Sequence, residues 1–137
     1  MNQLTVQTQV NKPIEQVWDL FTNPKHIVQW NFAHESWECP SASNDLQVGG
    51  LLQTRMQAKD GSFGFDLIGI YDEVVEHQSL KYHLEDGRNV EVIFKKLSDD
   101  RSQVSQILDP ENQNPVSLQK DGWQAILDHF KTYAEAI

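Results

Sequence analysis

The chain has 137 residues, of which 39% are hydrophobic and 23% charged, and carries a net charge of −9. That is one domain, residues 1–137, with enough apolar residues for a core and too many charges for a membrane protein. The acidity excludes a nucleic-acid binder, which needs a basic patch to displace phosphate counterions. The one adjacent cation pair, Lys95-Lys96, falls in a strand pattern that sends its members to opposite faces.

No apolar run approaches the ~20 residues of a membrane helix, so no membrane insertion is expected. The N-terminal MNQLTVQTQV has neither a basic nor an apolar leader region, and the single Cys39 admits no internal disulfide. A cytoplasmic location is expected.

In chain order, residues 3 to 10 alternate Leu4, Val6, Thr8 and Val10 against polar neighbours, the pattern of a half-buried strand. Asn11-Lys12-Pro13 opens a helix with the apolar stripe Ile14, Val17, Trp18 and Phe21, and Asn23-Pro24 ends it. A second short helix is expected over 24–29. From 33 to 108 the pattern is all strand, with segments at 34–39, 51–59, 63–75, 79–84, 89–97 and 103–108. Asp60-Gly61, Asp86-Gly87 and Ser98-Asp99-Asp100 mark short turns, so neighbouring strands are antiparallel. Asn114-Pro115 then starts a last helix running to about 136, whose apolar positions are Leu118, Trp123, Ile126, Leu127, Phe130, Ala134 and Ile137.

This order predicts an α+β domain in which a curved antiparallel sheet of about seven strands wraps the long C-terminal helix. The alternation assigns Leu52, Thr54, Met56 and Ala58 to one inner face, joined by Phe65, Leu67, Gly69, Tyr71, Leu80, Tyr82, Leu84, Val90, Val92, Phe94, Val104, Gln106 and Leu108. A twisted sheet leaves space where it diverges from the helix. Gly69 within a strand marks a bend or a close approach. Gly122, costly inside a helix, either eases packing or leaves room beside Trp123 for a ligand. Gln106 faces inward and needs partners. It either joins Tyr71 and Tyr82 in a core network or anchors a bound molecule. Trp30, Phe32 and Trp37 form either plain core or a rim over the cavity mouth.

Catalytic and metal motifs are missing. HESWE at 34–38 lacks the second histidine of a zinc-protease motif, and Gly61-Ser62-Phe63-Gly64 lacks the lysine of a phosphate loop. His26, His34, His77, His83 and His129 show no ligand spacing and read as surface or edge residues. Cys39 reads as inert, Asp45 as a cap on the Gly49-Gly50 turn, and Asp66 and Asp72 as solvated on the outer face. No cofactor or metal is expected.

Several of these pieces occur together in a known pattern: Pro13 through Phe21, Trp30, Asp45-Leu46 with Gly49-Gly50, Met56, Asp60-Gly61, Gly69 through Val74, and Gly122-Trp123 through Tyr133. In that combination the chain resembles the START-like (SRPBCC) superfamily. Within it the chain looks like the AHSA1-like branch, named after the activator of the Hsp90 ATPase. The resemblance implies the helix-grip (START/Bet v 1-like) fold around a hydrophobic cavity, and binding of a lipid, polyketide or other lipophilic small molecule. It also implies two alternatives, a chaperone-regulating interaction module and a cyclase- or hydrolase-type enzyme. An enzyme needs convergent ionisable groups facing inward, and the strand register supplies only Gln106 and tyrosines. The expected function is therefore non-catalytic binding, with Trp30, Phe32, Trp37, Met56, Phe65, Tyr71, Tyr82, Phe94, Gln106, Gly122, Trp123 and Ile126 as ligand-binding residues.

Overall fold

The computed structural model describes residues 3–137; residues 1 and 2, part of the N-terminal stretch read above for a leader, lie outside it. Strand β1 (Leu4–Val10) is followed by helices α1 (Ile14–Thr22) and α2 (Pro24–Trp30). Six strands come next: β2 (Trp37–Asn44), β3 (Leu51–Ala58), β4 (Gly64–Val75), β5 (Ser79–Leu84), β6 (Asn89–Ser98) and β7 (Arg101–Leu108). Helix α3 (Val116–Glu135) closes the chain. All seven strands form one antiparallel sheet in the order β1-β7-β6-β5-β4-β3-β2, curled around α3 in the expected helix-grip arrangement. Among the described residues no helix is long and apolar enough to cross a membrane.

Local chemistry sets the element boundaries. Asn23 ends α1 through its backbone N–H, which donates to the Asp19 carbonyl at 2.9 Å, and caps α2 by accepting from the Lys25 N–H at 3.0 Å. Pro24 then takes the first turn of α2, where no donor is needed. β2 starts at Trp37 and runs to Asn44, later than the expected 34–39. His34 turns onto Ser36 instead, its Nδ1 accepting the Ser36 N–H at 3.1 Å. Pro40 does not stop the strand, because β2 lies at the sheet edge and its pairing with β3 shifts register between Glu38 and Ser41. Pro115 stands at the N-cap position of α3, and no side chain caps the helix.

The Gly49-Gly50 pair splits its duties. Gly49 has φ +84°, which favours glycine, and a Cβ on Gly50 would stand 2.1 Å from the Asp45 carbonyl oxygen. That close approach lets Gly49 donate to the Tyr71 carbonyl and Tyr71 donate to the Gly50 carbonyl, extending the ladder between β3 and β4. The Asp45 carboxylate does not cap backbone here; it accepts from the Gln47 side-chain amide at 3.1 Å.

The inner-face assignments hold for most of the sheet. Leu4, Val6, Val10, Leu80, Tyr82, Val90, Val92, Val104 and Leu108 are buried in one core cluster that also takes in Ile14, Val17, Trp18, Leu20 and Phe21 of α1. Along α3, Leu127, Phe130 and Ala134 are at most 1% exposed, whereas Leu118 is 59% exposed. The helix leaves the sheet towards its N-terminus, so Leu118 does not join the apolar stripe. Ile137, also expected there, lies beyond the end of α3 and is exposed. Two histidines expected at the surface are partly buried ties instead. His26 Nδ1 meets the Tyr133 hydroxyl at 2.7 Å, and His129 Nδ1 bonds the Phe32 carbonyl.

Candidate functional site: a two-chambered hollow

Where α3 parts from the sheet, an open cleft of about 560 Å³ forms. One wall is the β3–β4 hairpin with its neighbours: Trp37, Met56, Phe63, Phe65, Leu67 and Leu84. The other wall is α3, which contributes Gln119, Gly122, Trp123 and Ile126, and the segment Asn31, Ala33 and His34 closes one side. The lip of the hairpin is aromatic: Trp37 lies 5.8 Å from Phe63 and 6.1 Å from Phe65 between ring centroids. On the helix side, a Cβ added at Gly122 would meet nothing within 4 Å. This residue therefore faces the open cleft and is not needed for close packing.

Deeper in, a second chamber of about 50 Å³ is lined by Trp30, Leu52, Leu80 and a set of polar residues, Thr22, Asn44, Thr54, Tyr71, Tyr82 and Gln106. Asn31, Leu67, Trp123 and Ile126 line both voids and form the neck between them. The Tyr71 hydroxyl donates to Asn44 Oδ1 at 2.7 Å, and the Asn44 amide donates to the Thr22 carbonyl at 2.7 Å. Tyr71 is thus committed to Asn44 and does not partner Gln106, as one sequence reading had it. Gln106 is 5% exposed and lines the chamber. Thr54 is 2% exposed, and its hydroxyl is buried with no hydrogen-bond partner among the described residues. Burial pushes the Tyr71 and Tyr82 phenols above their ordinary value, and for Tyr82 the neighbouring Tyr71 adds to the effect. Both are neutral and polar at physiological pH.

The glycine at 69 serves this chamber indirectly. A Cβ there would stand 2.6 Å from the Tyr82 ring, so Gly69 is the close approach that lets Tyr82 lie flat across β4.

Ten of the twelve expected ligand-binding residues line the hollow. Trp37, Met56, Phe65 and Gly122 face the cleft, Trp123 and Ile126 the neck, and Trp30, Tyr71, Tyr82 and Gln106 the chamber. Trp30 does so as a core residue and not as a rim, since it packs on Phe130 at 4.9 Å and its Nε1 donates to the Leu20 carbonyl at 3.0 Å. Phe32 and Phe94 line neither void. Phe32 packs on His129 at 5.0 Å, and Phe94 packs against Trp18 at 4.9 Å and Phe21 at 5.4 Å in the filled end of the barrel.

Sequence reasoning missed Thr54, Asn44, Asn31 and Phe63. Thr54 was findable, because it is a polar residue alternating in step with Leu52 and Met56. Asn44 lies at the end of an edge strand that the sequence placed elsewhere. Three ionisable residues also line the cleft, and each is engaged within its own loop. His34 bonds Ser36, Arg88 Nε donates to Asp86 at 2.8 Å, and Glu111 accepts the Asn114 N–H at 2.7 Å. Burial pushes the Cys39 thiol up, which disfavours the thiolate. Among the described residues no group of three His, Cys, Asp or Glu side chains is placed to hold a metal ion.

Comparison with known proteins matches the model of the activator of Hsp90 ATPase homolog 1-like protein family to residues 11–135. The solution structure of an AHSA1-like protein from Aeromonas hydrophila is similar at 36% identity and a TM-score of 0.91, over 98% of this chain and 93% of that one. A protein from Cytophaga hutchinsonii is 43% identical with a TM-score of 0.85, over 99% and 94% of the two chains. A protein from Chromobacterium violaceum shares the fold at 20% identity and a TM-score of 0.85, over 98% and 99% of the two chains. No curated protein matches the chain.

Proposed function

The chain belongs to the activator of Hsp90 ATPase homologue 1-like family, and on that premise we propose that it binds a hydrophobic small molecule, a lipid, polyketide or similar compound, without chemical change. The observation that carries this reading is the open cleft of about 560 Å³ with apolar and aromatic walls on both sides. Such a volume lies within the usual range for small-molecule sites. Each methylene that a guest buries there contributes roughly 0.8 kcal/mol before the cost of association is subtracted. Gly122 supports the same reading, since a helix position with open space in front of it loses propensity and gains no packing.

Native mass spectrometry of the purified protein, followed by organic extraction, tests this. A retained lipophile, or saturable quenching of tryptophan emission by an added one, is the expected result. Protein that carries nothing and responds to no lipophile would count against it.

The family description favours a second reading, a module that acts on a chaperone. It predicts stimulation of an Hsp90-type ATPase and co-purification with it. Failure of both assays would remove it. An enzyme of cyclase or hydrolase type is disfavoured by the local engagement of His34, Arg88 and Glu111.

A further inference from the structure

We propose that the guest ends in one neutral hydroxyl group, which enters the inner chamber and hydrogen-bonds to Thr54 and Gln106 while the apolar body fills the outer cleft. The inference rests on reading the hollow as a lipophile site. Thr54 lines the chamber, and its Oγ1 is buried with no partner among the described residues. A hydroxyl left in that state is destabilising, and a protein interior normally satisfies it with a neighbour, a water or a ligand. Two polar side chains of the same chamber are engaged elsewhere, because Tyr71 donates to Asn44 and Asn44 donates to the Thr22 carbonyl.

Size and charge then narrow the chemistry. The chamber, at about 50 Å³, exceeds the roughly 10–15 Å³ that one water needs. That is room for a head group of a few heavy atoms and too little for a sugar. Its titratable groups are Tyr71 and Tyr82, both held neutral by burial. No cation stands ready for a carboxylate there and no anion for an ammonium, so a charged end would be buried unpaired. A hydroxyl donates and accepts, which matches a threonine hydroxyl and a carboxamide. Leu67 and Trp123 line both voids, so the chamber lies directly beside the cleft.

The test is displacement of the neutral dye N-phenyl-1-naphthylamine at pH 7 by 1-decanol, 1-chlorodecane or decanoate. A purely apolar hollow would prefer 1-chlorodecane, the more hydrophobic of the two neutral compounds. The proposal predicts the reverse, with 1-decanol displacing at a concentration at least about tenfold lower than either competitor. Thr54→Val should shrink the gap between decanol and chlorodecane to within about threefold. Thermal unfolding is expected to show that variant folded, since the change removes an orphan hydroxyl at constant shape. Gln106→Leu is the second variant and should shrink the gap in the same way. Displacement by decanol and chlorodecane at equal concentrations, decanoate as potent as decanol, or an undiminished gap in both variants would overturn the head-group assignment alone. Displacement by none of the three would overturn it together with the lipophile reading.

Discussion

At its C-terminal half, α3 lays Leu127, Phe130 and Ala134 into a closed aromatic cluster, with Phe130 5.2 Å from Phe21 and 4.9 Å from Trp30. At its N-terminal half the same helix offers Gly122, Trp123 and Ile126 to a cleft whose far wall, the β3–β4 hairpin, does not close on them. The polar ties follow the same division. The C-terminal half is bonded to β1 and the turn after it, where Glu135 accepts the Asn11 N–H at 2.9 Å and Lys131 donates to the Gln9 carbonyl; at the middle of the helix Gln124 donates to the Gln7 carbonyl at 3.0 Å. The N-terminal half is bonded to the loop that precedes it, where Gln119 donates to the Glu111 and Asn114 carbonyls at 3.0 and 2.8 Å and accepts the Glu111 N–H at 2.8 Å. One end is therefore clamped to the sheet and the other is held off it. A hollow maintained in this way does not depend on strain in the helix.

Changes at the clamped end should cost stability, and changes at the open end should cost binding. The largest effect is expected for Phe130→Ala, which removes a fully buried ring from the closed cluster. Chemical denaturation should show a loss of about 3–5 kcal/mol. Gly69→Ala drives a methyl into the Tyr82 ring, 2.6 Å away, and should cost about 1–3 kcal/mol by overpacking.

High pH comes next. Tyr71 and Tyr82 have folded-state pKa values raised from the ordinary 10.0, so their stabilisation is complete below that value. It is lost as pH rises above it, because the unfolded chain ionises first, at roughly 1.4 kcal/mol per tyrosine per pH unit. Tyr82→Phe should flatten this alkaline fall in melting temperature.

Gly122→Leu should stabilise α3 by roughly 0.5–1 kcal/mol through helix propensity, an increase in melting temperature that a clash would reverse. The smallest effect belongs to two surface latches. The Asn89 N–H holds Asp109 below the ordinary 3.8, and the Asn11 N–H holds Glu135 below the ordinary 4.5. Their contributions are present above those values and fade as pH falls through the lowered ones. Asp109→Asn should make the acid limb of a melting-temperature profile slightly shallower.

The same division explains what the sequence made legible. Period-two alternation placed Met56, Tyr71, Tyr82 and Gln106 on the inner face because strand geometry leaves a side chain only two directions. It could not tell that Phe94, in the same alternation, meets Trp18 and Phe21 in the filled end. Inside or outside is a local property; filled or hollow depends on where a helix from another part of the chain lies. Leu118 shows the same limit from the other side, since its spacing fits the stripe but the helix has left the sheet by that turn. β2 continues through Pro40 to Asn44, beyond the expected 34–39, because an edge strand with a register shift tolerates a residue that cannot donate. The pairing of Tyr71 with Asn44 spans 27 residues and has no local signature, so the inward position of Thr54 is legible in the alternation but its lack of a partner is not.

The central claim is that the open end of α3 is a binding site for an apolar guest, and titration of N-phenyl-1-naphthylamine into the native protein and into Gly122→Leu tests it most directly. Saturable one-to-one dye emission is expected with the native protein, and loss of most of that emission in the variant, whose side chain projects into the cleft while the protein melts at an equal or higher temperature. No saturable binding to the native protein, or equal binding to both, would contradict it.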